Sequence, residues 1–319
     1  MPILADTNCR DREAVKAAFL PFARPDYVEG MVIGDDLDSL LTAMYLHQLF
    51  EWPVVGVYCQ YSRLWHTGSS QVFWDKLLSG RYVAVDLDIY HPAVPSLGHH
   101  IISRQQRDEL PGHTHTLNPN ALRGFSVRKD YTRKYPLATI HYLWWLFGQG
   151  LPVENVNLLI WLADSAYINA QQYRNNVEEW VRFFGIPAFN TILPALQTRA
   201  FEQALFDRIL RPMGANPLCH PGRSRNKSQH LGLNGYQCQF EDPNKQNGHI
   251  RSLLDTLSRL NGWAPLPFPA KFEGFRQGNR KEIAVRDLEG VDFSEWLERN
   301  GVFSYAFTYR ERLNYTVLQ

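Results

Sequence analysis

The sequence predicts an α/β protein: a parallel β-sheet flanked by helices, followed by a smaller α+β domain. Three observations predict it. Apolar runs of strand length alternate with helix-period segments through the first half, as parallel βαβ units require. Carboxylates or histidines stand where those runs end. Beyond the Gly/Asn/Arg-rich stretch 214–235 the pattern changes to one helix and alternating aromatic segments. The expected division is therefore 1–213 and 214–319.

Taken in order, "YVEGMVI" (27–33) reads as a strand, and "LDSLLTAMYLHQLF" (37–50) as a helix with Leu37, Leu40, Leu41 and Met44 on one face. "PVVGVYC" (53–59) is the next strand, "QVFWDKLL" (71–78) a short helix, "RYVAVDLDI" (81–89) an apolar strand and "SLGHHII" (96–102) a short extended segment. A His, Asn, Pro and Gly-rich loop covers 103–130, where the H-x-H of His113 and His115 reads as solvated. "YPLATIHYLWWLFGQG" (135–150) is a buried helix closed by glycines. "VENVNLLIWLADSAY" (153–167) is a long apolar run ending in a carboxylate, read as a further strand end at Asp164. Helical segments lie around 171–184, 196–210 and 248–262, and "VFSYAFTYRERLNYTVL" (302–318) reads as antiparallel strands with Phe303, Tyr305, Phe307 and Tyr309 alternating.

The 319 residues, 45% hydrophobic and 20% charged, can bury a substantial core. No apolar run approaches the roughly 18 residues that span a bilayer, and no signal pattern opens the chain, so a cytoplasmic protein without a membrane is expected. The four cysteines, Cys9, Cys59, Cys219 and Cys238, form no C-x-x-C pair. Cys219 and Cys238, taken with His220, His230 and His249, match no standard zinc spacing. A net charge of +1 hides a local bias, since Arg211 to Val285 holds eleven Lys/Arg against five Asp/Glu. Within it, Arg223, Arg225 and Lys227 suit phosphate or a plain basic loop, and Trp263, Phe268, Phe272 and Phe275 suit either stacking platforms for single-stranded nucleic acid or a core. No P-loop or dinucleotide-binding glycine pattern is present.

Chemistry is expected at the carboxyl ends of the strands, where open parallel sheets place their sites. Asp35, Asp36 and Asp38 follow one strand, Asp86 and Asp88 another, and His99 and His100 a third. Three carboxylates in four positions repel each other unless a cation sits between them. Carboxylates mixed with imidazole suit Mn²⁺ or a similar divalent ion, and two such ions form the usual clamp for phosphoester hydrolysis.

These segments resemble the DHH phosphoesterases, a superfamily that includes RecJ-type exonucleases, nano-RNA and cyclic-dinucleotide phosphodiesterases and manganese pyrophosphatases. "GDDLDS" is similar to the first motif, "VAVDLD" to the second, "LGHHI" to the Asp-His-His signature and "WLADSAY" to the fourth. "LNPNALRG" (117–124) is similar to the Asn-Pro loop of RecJ-like members. The resemblance covers about 27–170. It implies a phosphodiesterase using two Mn²⁺ ions, or Mg²⁺, on nucleic acid or a short oligo- or dinucleotide. Asp36 and Asp38 would each bind one metal, Asp86 would bridge them, His99 and Asp164 would complete the second site, and His100 would face the substrate phosphate. The faintly similar "NGH" at 247–249 offers His249 as a substrate contact. The chain departs from the pattern at Gly98, where the signature has Asp, and at Gly34 or Val32, where many members have His, leaving Asp35 as a substitute oxygen ligand. The short interval from Asp86 to His99 also leaves Asp88 as an alternative bridge. The rival class is a catalytically degenerate DHH-like binding or scaffold protein in a nucleic-acid-processing complex, with a protein partner. The surviving carboxylates favour the enzyme, because they are costly to keep crowded without cations.

Overall fold

A computed structural model of the chain describes residues 9–106, 108–148, 153–222 and 226–319. It is α/β, with a large mixed sheet flanked by helices. The chain divides into two units: Met1–Gly34, Trp52–Tyr135 and Pro269–Gln319 form one, Asp35–Glu51 and Pro136–Phe268 the other. The change of composition at 214 therefore falls inside the second unit.

The strands in chain order are β1 (Gly30–Ile33), β2 (Val54–Cys59), β3 (Arg63–His66), β4 (Tyr82–Val85), β5 (Ser96–Leu97), β6 (Thr116–Leu117), β7 (Cys219–Pro221), β8 (Tyr236–Cys238), β9 (Gly274–Ala284), β10 (Ser304–Tyr309) and β11 (Arg312–Leu318). In the first unit nine of them form one sheet in the order β10-β11-β9-β3-β2-β1-β4-β5-β6. The segment from β2 to β6 is parallel, and β3, β9, β11 and β10 extend it antiparallel from β2. Every residue of β1 and β4 is buried, the reason they read as unbroken apolar runs. The helix Ser70–Leu78 is capped by the Ser69 hydroxyl and packs Phe73 and Leu77 against Val32, Tyr58, Leu64 and Tyr82. Each such fully buried side chain contributes about 2 kcal/mol.

The aromatic strands near the C-terminus are antiparallel, as the alternation predicts, with Tyr305 and Phe307 buried. They join the sheet of the first unit through the β3–β9 pairing instead of building a separate domain. Alternation specifies which face is buried; it does not specify which sheet supplies the neighbour.

The second unit is mainly helical. Leu37–Phe50 forms the helix the sequence predicts, residue for residue, and the predicted buried helix 135–150 appears as Thr139–Phe147. "VENVNLLIWLADSAY" does not end as a strand: Glu154–Leu162 is a helix, with Val156 to Leu162 all buried. A short run that is apolar on every side carries no period, so strand and helix cannot be separated from it. β7 and β8 form a two-stranded ribbon in this unit. The loop leading into β8 is held by buried Glu202, which accepts the Ser228 hydroxyl at 2.6 Å, the Leu231 N–H at 2.6 Å and the Gln171 amide at 2.9 Å.

His113 is not solvated. It is fully buried in the first unit, its Nδ1 2.9 Å from the Thr116 hydroxyl and its ring centroid 5.3 Å from those of Tyr90 and Tyr305. Gly112 makes room for this, because a Cβ there would come within 2.5 Å of the Tyr90 ring. His115 is exposed, as expected of a loop. Burial pushes the His113 imidazole down to about 4. The unfolded chain therefore binds a proton that the folded chain refuses. Stability from this group is complete above about pH 6.5 and is lost as pH falls toward 4, by about 3 kcal/mol in all. Urea unfolding at pH 7 and pH 4.5 checks this: His113→Leu should lose less stability across the interval than the wild type, and equal losses would assign the effect to other groups.

Candidate functional site

The register of the parallel strands builds the site's foundation. Ile33 pairs with Val85, Val85 with Leu97 and Leu97 with Leu117, so the strands end level. Gly34, Asp86, Gly98 and Asn118 are the first residues past those ends. Asp86 takes a left-handed backbone, φ +58°, which turns the chain sharply off β4. A non-glycine residue held there costs about 1 kcal/mol or more, and such strain gathers at functional sites.

Two carboxylate–imidazole couples stand at this edge. His99 Nδ1 lies 3.2 Å from Asp86 Oδ1, and His100 Nδ1 lies 3.0 Å from Asp88 Oδ2. The two imidazoles stack, with ring centroids 4.4 Å apart. Asp86, Asp88 and His99 are buried, while His100 is half-buried. Asp88 also accepts the His100 backbone N–H at 3.2 Å and the Asn118 amide at 2.9 Å. Its burial works to raise the carboxyl, but the hydrogen bond and charge of His100, with the charges of His113 and His99, hold it below the usual carboxylate range. Asp88 is thus a holder of His100.

The same contacts explain Gly98. A Cβ at this position would lie 2.2 Å from Asp88 Oδ1 and 2.5 Å from its Cγ, so the space a side chain would need is already filled by a carboxylate from the neighbouring strand. Two asparagines not singled out from the sequence as site residues complete the arrangement. Asn118 donates to the His100 carbonyl at 2.7 Å and caps the turn Pro119–Leu122, while Asn120 donates to the His99 carbonyl at 2.8 Å and accepts the Tyr135 N–H. The signal for them is "LNPN": Asn before Pro at a strand end marks a helix cap with a side-chain amide to spare.

The second unit holds the remaining expected ligands. Asp36 caps the helix Leu37–Phe50, accepting the Ser39 N–H at 3.0 Å and its hydroxyl at 2.9 Å. Asp38 is buried and accepts the N–H groups of Thr139 at 2.7 Å and Ile140 at 3.1 Å, so it caps the helix Thr139–Phe147. Asp164 is not at a strand end. It occupies the kink between the helices Glu154–Leu162 and Ala166–Gln172, where Asp164 and Ser165 both adopt left-handed backbone, φ +49° and +56°. Asp36, Asp38 and Asp164 line one cavity of about 210 Å³ with Ser165, Tyr236 and Gln237. Asp35 is buried, and its carbonyl accepts the Phe240 N–H.

Arg223 and Arg225 lie outside the described residues. Lys227 is exposed, pairing with Asn234 in an isolated bridge, and His249 is exposed at the start of the helix Asn247–Asn261. Phe268 and Phe272 are core residues, in different units, and Phe275 packs on Trp65, so these aromatics do not form a row of stacking platforms. Cys219 and Cys238 face each other across β7–β8 with Sγ atoms 2.7 Å apart, and burial beside Cys219 pushes the Cys238 thiol up.

No protein-family model matches the chain, and no curated protein or solved structure shows significant similarity to it. No helix among the described residues is long and apolar enough to cross a membrane.

Proposed function

We propose that the chain is a divalent-metal-dependent phosphodiesterase of the DHH phosphoesterase type, acting on nucleic acid or short oligo- and dinucleotides. The observation that supports it most is the paired Asp86–His99 and Asp88–His100 couples at the level carboxyl ends of parallel strands. Asp36, Asp38, Asp86, His99 and Asp164, with Asp35 in reserve, offer hard carboxylate oxygens and an imidazole. That donor set fits Mn²⁺, with Mg²⁺ as a substitute, in the two-ion arrangement the sequence suggests. When bound, such ions would acidify water and neutralise charge on the phosphate oxygens. The protein's own part is positional. Asp88 accepts from His100 Nδ1, so it is the imidazolium form of His100 that would donate from Nε2 to a phosphate oxygen, and Asn118 and Asn120 hold the backbone of both histidines. His99 steadies the Asp86 carboxylate.

Calorimetric titration with Mn²⁺ after chelator treatment, alongside turnover assays on single-stranded DNA, short RNA and cyclic dinucleotides, tests the reading. Saturable Mn²⁺ binding and Mn²⁺-dependent cleavage of at least one substrate are expected, both weakened in Asp86→Asn. Absence of Mn²⁺ binding at millimolar concentration would remove the metal centre. One observation favours the second reading, a degenerate binding or scaffold protein: both oxygens of Asp38 are engaged in capping a helix. That protein would bind single strands without Mn²⁺-dependent turnover.

A further inference from the structure

The ribbon β7–β8 of the second unit carries two thiols face to face. Cys219 pairs directly with Cys238, their Sγ atoms lie 2.7 Å apart, and both residues are buried. The backbone tells which kind of pair this is. The Gly222 N–H donates to the Gly235 carbonyl one step beyond the Pro221–Tyr236 pair, and hydrogen-bonded pairs alternate with non-bonded ones along an antiparallel ribbon. Counting three pairs back makes Cys219–Cys238 a non-bonded pair, and the Cys219 N–H accordingly turns away from β8 to the Asn216 carbonyl at 3.0 Å. Such pairs bring side chains closest, at a Cα separation of roughly 4.5 Å, within the span a disulfide bridges.

The same ribbon walls the carboxylate cavity. Tyr236 and Gln237 of β8, with Gln239 just past it, line that cavity beside Asp36, Asp38 and Asp164. The segment around β8 is fastened to the chain on either side of those carboxylates: Ser165 fills the space a Cβ of Gly235 would need, the Tyr167 hydroxyl donates to the Asn234 carbonyl at 3.3 Å, and the Phe240 N–H donates to the Asp35 carbonyl at 3.2 Å. Three residue pairs make a short ladder, marginal by itself, so a covalent link across it changes how firmly β7 backs β8.

We propose that Cys219 and Cys238 form a reversible redox site, closed to a disulfide by a low-molecular-weight disulfide such as oxidised glutathione, and that closure stiffens the wall of the cavity of Asp36, Asp38 and Asp164. The site stands apart from the phosphodiesterase reading, because no metal or substrate enters its chemistry. Cys219 is the point of entry, since exposed His220 and Pro221 follow it, whereas Cys238 is fully buried and burial pushes its thiol up. The Cys219 thiolate attacks one sulfur of the oxidant and expels the first glutathione thiolate, leaving a mixed disulfide. Cys238, deprotonated, then attacks Cys219 Sγ and expels the second. Two thiols are oxidised, one disulfide is reduced to two glutathiones, and the two protons pass to them.

Incubation of the full chain with oxidised glutathione, followed by thiol titration in denaturant, tests the site. Two of the four thiols should disappear and return on treatment with dithiothreitol. Arg223, Arg225 and Lys227 separate the two cysteines, so the tryptic peptides that carry them should be found joined. Closing a loop across 19 positions should raise the thermal midpoint by about 5 °C. Hydrogen exchange across 234–240 should slow about 10-fold or more. Cys219→Ala and Cys238→Ala should each lose these responses, and the wild type alone decides closure if either variant fails to fold. Four titratable thiols after incubation, or a glutathione adduct that never closes, would overturn the site. Closure with unchanged exchange across 234–240 would overturn its control of the cavity wall. Neither result bears on Mn²⁺ binding or cleavage, which their own titration and assays decide.

Discussion

Asp86→Ala is expected to abolish Mn²⁺-dependent phosphodiester hydrolysis, a loss of about 10³-fold or more in kcat, in a protein that remains folded. The carboxylate stands at the level ends of the parallel strands, with an imidazole 3.2 Å away and little exposure. A ligand expected to be shared by two ions has no substitute within the same motif except Asp88, and Asp88 is committed to His100 and Asn118. The backbone adds a second expectation. Asp86 sits at φ +58°, so replacement by Gly, which is at ease there, should leave stability level or higher where alanine lowers it by about 1 kcal/mol. Both variants should lose turnover alike. Urea unfolding with initial rates on a short oligonucleotide separates the two effects. Unchanged turnover in either variant would move the metal bridge to Asp88 or favour the scaffold reading.

What the sequence made legible follows from what its patterns encode. "MVIGDDLDS" and "VAVDLD" are apolar runs ending in carboxylates, and the structure sets Asp86 and Asp88 past the end of β4 and begins a helix at Leu37. The level of the strands is not written in either motif; it comes from the register of Ile33, Val85, Leu97 and Leu117. "NLLIWLA" is apolar without alternation, so the pattern alone puts Asp164 at a strand end, whereas it occupies a helix kink. The β3–β9 pairing that returns the C-terminal strands to the first sheet joins residues more than 200 positions apart, and no local pattern specifies such a partner. Burial of His113 depends likewise on Tyr305, far along the chain. The role of Asp88 was open in the sequence because a short interval can be counted, whereas the space filled by its carboxylate cannot.

Gly98→Ala is expected to destabilise the protein by about 3–5 kcal/mol, since even a methyl group would stand 2.2 Å from Asp88 Oδ1 and the carboxylate would have to leave. Asp88 would then lose the His100 N–H and Nδ1 and the Asn118 amide, and a buried charge would be left with fewer partners. Gly98→Asp alone should be worse, because it adds a like charge in the same space. The clash also suggests a repair. A side chain starting from position 98 would place its carboxylate where Asp88 now places its own, so Asp88→Gly combined with Gly98→Asp should restore the anchor of His100 from the adjacent strand. The double variant is expected to recover at least half of the stability lost in Gly98→Asp and most of the turnover lost in Asp88→Gly. Urea unfolding and Mn²⁺-dependent initial rates of the three variants measure this as a double-mutant cycle, with a favourable coupling of about 2 kcal/mol or more. A double variant no better than its worse parent would show that Asp88 holds His100 from a position that no carboxylate at 98 can reach, and the departure at Gly98 would then count toward the scaffold reading.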